Sequence, residues 1–263
     1  ELSEKQVEAV KMVNDNNVCI ITGGPGTGKT TIIKTIIDIY KSRGKKVVLC
    51  APTGRAAKRM TEATGEEAST LHRLLEIGKV SDEKPDPDLD VTPIDADVVI
   101  IDEMSMVDIF LMNYVVKALF KGTKLVLVGD TDQLPSVGPG TVLKDLIDSK
   151  RVPYIRLNKI FRQALQSEII VNSHKVNEGI NFIEEMREES FENSLRKNDD
   201  SSENKNKSIN TMTNLISNNY IIEKNDFVFI EEQATIRIIQ KILEMYNLDE
   251  QIITPSKKGE LGT

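Results

Sequence analysis

Tryptophan is absent from the 263-residue chain, and aromatic residues make up only 5% of it. That composition does not favour a single-strand binder built mainly on stacked aromatic rings. The two cysteines, Cys19 and Cys50, lie inside apolar runs without CxxC spacing. A disulfide framework and a cysteine zinc site are therefore not expected, and a reducing cytoplasm fits better. The two histidines, His72 and His174, form no spaced cluster with acids, so no nuclease constellation is visible. No apolar run reaches the roughly 18 residues a membrane span needs. The opening Glu1-Leu2-Ser3-Glu4-Lys5 lacks a basic-then-apolar signal pattern. No membrane partner is expected.

Positive charge is also short, with a net charge of −7. Residues 181–204 hold eight acids and three bases, so −5 of the −7 sits in that stretch. Whole-chain charge thus says little about the surface near a site elsewhere. The length suggests one to two domains and is enough to bury a sizeable core.

The first two thirds of the chain alternate apolar runs with helical patterns. Runs at 17–22, 46–51, 98–101 and 124–128 read as strands. Helices are expected at about 29–42, 55–63, 107–119 and 142–149. Strands alternating with helices argue for an α/β fold, and continuous apolar runs argue for a parallel sheet with helices on both faces. Residues 76–97 are rich in prolines and acids and read as a small insertion. Residues 193–209 are nearly devoid of apolar side chains and read as disordered. Order is expected to resume with a strand at 227–230, a helix at 234–246 and a strand at 251–254.

GGPGTGKT, Gly23 to Thr30, fits G-x-x-x-x-G-K-[ST] in full, between an apolar run and a helical stretch. Its glycines let backbone N–H groups wrap a polyphosphate, and the helix N-terminus adds partial positive charge. Lys29 is suited to the β- and γ-phosphates and Thr30 to Mg²⁺. Asp102 and Glu103 follow the third apolar run, at the strand end that faces the ligand crevice in open α/β sheets. Asp102 suits Mg²⁺ held through water, and Glu103 suits a base for the attacking water.

These motifs belong to an ordered series: LSEKQVEAV (2–10), GGPGTGKT (23–30), APTGRAAKRM (51–60), STLHRLL (69–75), IDEMSMVD (101–108), VLVGDTDQLPSVGPG (126–140), LNKIFRQA (157–164) and TPSKKGELGT (254–263). In that order they resemble the motor core of RecD-like DNA helicases, the superfamily-1 branch that moves 5′ to 3′ on single strands. The resemblance implies a P-loop NTPase with a RecA-like first domain at 1–152. It also implies an incomplete second RecA-like domain at 153–263, interrupted by an acidic insertion at about 181–212. It implies ATP and Mg²⁺ as ligands and single-stranded DNA, bound without regard to sequence, as partner. Other subunits of a helicase–nuclease assembly are further candidate partners.

The resemblance also assigns residues. ATP is expected on Gln6, Gly24, Pro25, Gly26, Thr27, Gly28, Lys29, Thr30 and Thr31, with Gln6 at the adenine edge. Ser3-x-x-Gln6 is equally a capping box. Catalysis is expected from Lys29, Glu103, Gln133 and Arg162, with Gln133 sensing the γ-phosphate and Arg162 reaching it from the second domain. Thr53, Gly54, Arg55, His72 and Lys257 are expected on the DNA, whereas Lys58 and Arg59 read as a solvated helix face. A chain ending at Thr263 is expected to lack later motor motifs and to bind nucleotide with weak or no hydrolysis. Two alternatives remain: a P-loop ATP switch, or a scaffold module in a nuclease–helicase assembly. A GTPase is disfavoured, because Asn158-Lys159 continues as Ile160-Phe161 instead of the guanine-specific N-K-x-D.

Overall fold

Four continuous apolar runs become the inner strands of one parallel sheet in the computed structural model. It describes residues 2–77, 89–161, 166–183, 221–224 and 227–230. In chain order the first unit contains α1 (Glu4–Asp15), β1 (Val18–Gly23), α2 (Lys29–Ser42), β2 (Val47–Ala51), α3 (Gly54–Thr64), β3 (Ala68–Thr70) and α4 (Leu71–Leu74). Then follow β4 (Val98–Ile101), a 3-10 turn at Met104–Met106, α5 (Ile109–Ala118), β5 (Lys124–Gly129), α6 (Val142–Asp148) and β6 (Tyr154–Leu157). The strands lie in the order β3-β2-β4-β5-β1-β6, and every pairing is parallel.

Alternation along the strands divides the core into two layers. Ile20, Val99, Ile101, Leu125 and Leu127 pack with Leu111 and Val115 of α5 and Leu143 and Ile147 of α6. Ile21, Val98, Ile100, Val126 and Val128 pack on the opposite side with Ala9 and Val13 of α1 and Ile33, Ile36 and Ile37 of α2. Burying each of those isoleucines contributes about 1.5–3 kcal/mol. Cys19 and Cys50 are free and buried within these layers. Burial pushes the Cys19 thiol up to about 11 and the Cys50 thiol up as well.

The first helix is held at both ends. Ser3 and Gln6 close a reciprocal capping box at its start. At its end the Lys124 ammonium donates to the Val13 carbonyl at 2.6 Å and to the Asn16 carbonyl, satisfying acceptors that a helix C-terminus leaves open.

Two expected boundaries shift in the structure. The helix expected near 107–119 is present as α5, Ile109–Ala118. Glu103 takes a left-handed conformation (φ 54°, ψ 43°) that starts the 3-10 turn, and α5 begins only after Asp108, whose carboxylate accepts from the Leu111 N–H at 2.8 Å. The expected boundary at 152/153 also differs from the compact units, which divide between Gln166 and Ser167. Strand β6 is the reason, because it pairs with β1 from Ile20↔Tyr154 to Gly23↔Leu157.

The second unit contains α7 (Glu168–Asn177), capped by Ser167, and the antiparallel pair β7 (Ile221–Lys224) and β8 (Phe227–Ile230). The disordered stretch expected at 193–209, most of the acidic insertion, and the helix and strand expected at 234–246 and 251–254 fall outside the described residues. So do residues 78–88 of the insertion at 76–97. Its remaining part joins the first unit through an isolated bridge between Ile94 and Leu119.

Candidate functional site

The crevice at the C-terminal ends of β1, β4 and β5 gathers the phosphate-loop residues and the acids. Strand β1 delivers Gly23 into a loop that turns on Gly26 (φ 74°) and Gly28 (φ 82°), conformations that a side chain would strain. The Thr27 hydroxyl donates to the Gly24 carbonyl at 2.8 Å and braces the loop. Helix α2 starts at Lys29, with Gly28 as its N-cap and no side-chain cap, so its first N–H groups face the loop. Lys29 folds back onto the loop, donating to the carbonyls of Gly23 at 2.5 Å and Gly24 at 3.0 Å. Gly24, Pro25 and Gly26 are partly exposed, while Thr30 and Thr31 are exposed on the first turn of α2.

Asp102 and Glu103 follow β4 directly. One Asp102 oxygen accepts from the Glu103 N–H at 2.9 Å. Burial raises the pKa of both carboxyls. The neighbouring Asp102 and Asp130 charges raise Glu103 further, while Lys29 and Arg59 pull it down. Arg59, read from sequence as part of a solvated face, thus acts electrostatically on Glu103. Its neighbour Lys58 does what a solvated face predicts, pairing with Glu62 at 3.9 Å one turn on. Asp130, at the end of β5, is buried to 2% exposure. It accepts from the Asp132 N–H at 3.0 Å and from Gln133 Nε2 at 3.5 Å. Gln133 itself is exposed.

The excess of desolvated negative charge at 102, 103 and 130 fits a divalent cation. The Thr30 hydroxyl and an Asp102 carboxylate are hard oxygen donors of the kind Mg²⁺ takes beside phosphates. Two buried hydroxyls near these strand ends, Thr22 and Ser105, have no hydrogen-bond partner.

Gln6 is drawn into this site from α1. It is 2% exposed. Its Oε1 accepts from the Ser3 N–H at 2.9 Å while its Nε2 donates to the Gly28 carbonyl at 3.4 Å. The capping reading therefore holds, and the side chain also touches the phosphate loop. Phe161 is a contact that sequence reasoning missed. Its N–H donates to the Gly26 carbonyl at 3.2 Å, and its ring lies against Gly28. Arg162 and Lys257 lie outside the described residues.

Beside the site runs a groove of about 360 Å³ lined by Pro52, Thr53, His72, Met106, Tyr114 and Val137, among others. It brings together two expected DNA contacts far apart in sequence, Thr53 and His72. The Thr53 hydroxyl caps α3, accepting from the Ala56 N–H at 3.2 Å. Gly54 and Arg55 are exposed on the first turn of α3. Loop 134–140 forms one wall, packed so closely that any Cβ at Gly138 would overlap the Asp108 carboxylate. Among the described residues, no helix is long and apolar enough to cross a membrane.

Residues 6–139, about half the chain, match the AAA domain family. The chain is 41% identical over 173 residues to the ATP-dependent RecD2 DNA helicase of Deinococcus radiodurans, covering 66% of this chain and 23% of that protein. It is 37% identical over 175 residues to the RecBCD enzyme subunit RecD of Mycolicibacterium smegmatis, covering 55% and 30%. It thus spans less than a third of the length of either relative. A solved Pif1 helicase from Candida albicans aligns at 28% identity and a TM-score of 0.46, covering 62% of this chain and 41% of that one. The chain belongs to the AAA domain family and is RecD-like in sequence.

Proposed function

We propose that this chain is the nucleotide-binding portion of an ATP-driven helicase motor that moves 5′ to 3′ on single-stranded DNA. The observation that carries the reading is the convergence of Lys29, Asp102, Glu103 and Gln133 at one end of the sheet, beside a groove that holds Thr53 and His72. The polarity rests on the resemblance of the motif series.

ATP would lie with its phosphates on the amides of Gly24–Thr31, and Lys29 would exchange the Gly23 and Gly24 carbonyls for phosphate oxygens. Mg²⁺, held by Thr30 and Asp102, would neutralise charge on those oxygens. Glu103 would take the proton of the attacking water, and its raised pKa supports that role, making it a better base than an exposed glutamate. Gln133 would leave Asp130 to meet the γ-phosphate, and Arg162 would complete the charge stabilisation.

The same loop links the site to the strand. Gln133 is followed by Leu134 and then by Pro135, Ser136 and Val137, which line the groove. A shift of Gln133 on γ-phosphate loss would therefore move one groove wall. The strand backbone would meet the α3 N-terminus, where Gly54 has open space around it and an ordinary φ. No steric demand of the fold requires glycine there, and a glycine permits close approach of a phosphate. Backbone contacts of this kind are indifferent to sequence and sensitive to salt.

RecD is named as a subunit of the RecBCD enzyme in several relatives, and other subunits of such an assembly are proposed partners here. Because the chain spans only part of its relatives, its own turnover is expected to be weak. The test is ATP hydrolysis with and without a single-stranded oligonucleotide, on this chain and on one extended past Thr263. Strand-stimulated turnover in the extended chain is expected. ATP binding by both with no response to DNA in either would favour a nucleotide switch or scaffold module instead.

A further inference from the structure

We infer that the backbone N–H of Phe161 is a positioning group that presets the phosphate loop for a polyphosphate. The inference rests on the nucleotide-site reading above.

The loop and this residue lie 135 positions apart, and the sheet brings them together. Strand β6 runs parallel to β1 with Leu157 opposite Gly23, so both chains leave the sheet side by side and in the same direction. The packing is tight, because a Cβ on Gly23 would come within 2.7 Å of the Leu157 carbonyl. Four residues beyond Leu157, the Phe161 N–H reaches the Gly26 carbonyl at 3.2 Å. In the same loop, Gln6 Nε2 reaches the Gly28 carbonyl at 3.4 Å. The Phe161 ring and the Gln6 amide then flank Gly28.

In a trans peptide the carbonyl and the next N–H point in opposite directions. Holding the Gly26 carbonyl toward Phe161 turns the Thr27 N–H the other way, toward the side where a phosphate would lie. The Gly28 carbonyl already accepts the first bond of α2 from the Ile32 N–H at 3.3 Å, which orients the Lys29 N–H with the helix. Gly26 has positive φ, no side chain and no place in the helix, so its peptide is the freer of the two to rotate. Donors fixed before binding need not be ordered on binding, which raises affinity.

Two substitutions separate the backbone donor from the ring. Phe161→Pro deletes the N–H, whereas Phe161→Leu keeps it and removes the aromatic ring. Competition against a fluorescent ATP analogue measures affinity for MgATP and for inorganic tripolyphosphate, which has no base. Phe161→Pro is expected to weaken both ligands by the same factor, about five- to tenfold, in the upper part of the range for one lost hydrogen bond. Phe161→Leu is expected to leave tripolyphosphate binding within about twofold. Loss of ATP affinity alone in Phe161→Pro, or equal tripolyphosphate losses in both variants, would overturn the inference. Because proline can disturb folding, hydrogen exchange on the unmutated, nucleotide-free chain provides a second reading. The Phe161 amide should exchange at least tenfold more slowly than an unstructured amide, and an unprotected Phe161 amide also overturns the inference. Failure of the unmutated chain to bind either ligand would instead sink the nucleotide site itself.

Discussion

Gly28→Ala should cost stability as well as nucleotide affinity, and the cost can be worked from three contributions. The first is conformational: φ at Gly28 is 82°, and placing alanine in the left-handed region costs about 1–2 kcal/mol. The second is overlap. The new methyl would collide with Gln6 Nε2 and come within 3.0 Å of Phe161 Cε2. Both neighbours must shift, and the Gln6–Gly28 hydrogen bond is lost, at about 1 kcal/mol. The third is favourable, because alanine restricts the unfolded chain by about 0.4–1 kcal/mol relative to glycine. The net is a destabilisation of about 1–2.6 kcal/mol, or roughly 2–10 °C in Tm for a unit of this size. Gly44→Ala is the matched control, since its φ is 71° but a Cβ there meets nothing within 4 Å. It carries the conformational cost without the overlap and should lose about 1 kcal/mol less. Thermal unfolding of both variants by circular dichroism compares them directly. Equal melting temperatures for Gly28→Ala and Gly44→Ala would refute the clasp of Gln6 and Phe161 around the loop.

Asp102→Asn should stabilise the nucleotide-free fold at neutral pH while abolishing turnover, because it removes a buried charge and keeps the acceptor for the Glu103 N–H. The pH dependence has a definite sign. Burial raises the Asp102 pKa in the folded state. The folded form therefore binds that proton more tightly than the unfolded form, and ionisation opposes folding. The Tm gap between Asp102→Asn and the unmutated chain should be full above the raised folded pKa and shrink as pH falls toward the unfolded value; a gap that widens on acidification would refute it. Arg55→Ala should weaken single-strand binding and reduce the salt slope of log K by about 0.7, one phosphate's worth on a single strand. An unchanged slope by fluorescence anisotropy would remove Arg55 from the strand contact.

Elements that were legible in the sequence are those whose signal is local. Residues 98–101 and 125–128 are apolar without interruption because both faces of β4 and β5 are covered. The phosphate loop is equally local, since glycines, Lys29 and Thr30 must be adjacent to wrap one ligand. Strand β6 escaped notice because it is an edge: Tyr154 and Arg156 are exposed and only Leu157 is buried, which leaves no apolar run. The three-residue β3 was hidden in the same way, with no residue fully buried. The helix expected near 107–119 starts two residues later because side chains decide that end: Asp108 prefers capping to continuing a helix. The contact of Phe161 with the loop depends on the register of β6 against β1, and that of Gln6 on where α1 packs, neither of which anything local in the sequence encodes.

The most direct test of the account is ATP turnover by the extended chain in saturating single-stranded oligonucleotide, with Lys29→Ala beside it. Lys29→Ala should keep the fold, since the Lys29 ammonium hydrogen-bonds to the Gly23 and Gly24 carbonyls of the loop and not into the core, yet lose strand-stimulated hydrolysis. Undiminished hydrolysis in a folded Lys29→Ala chain would contradict the assignment of the Gly23–Thr30 loop as the site of ATP chemistry.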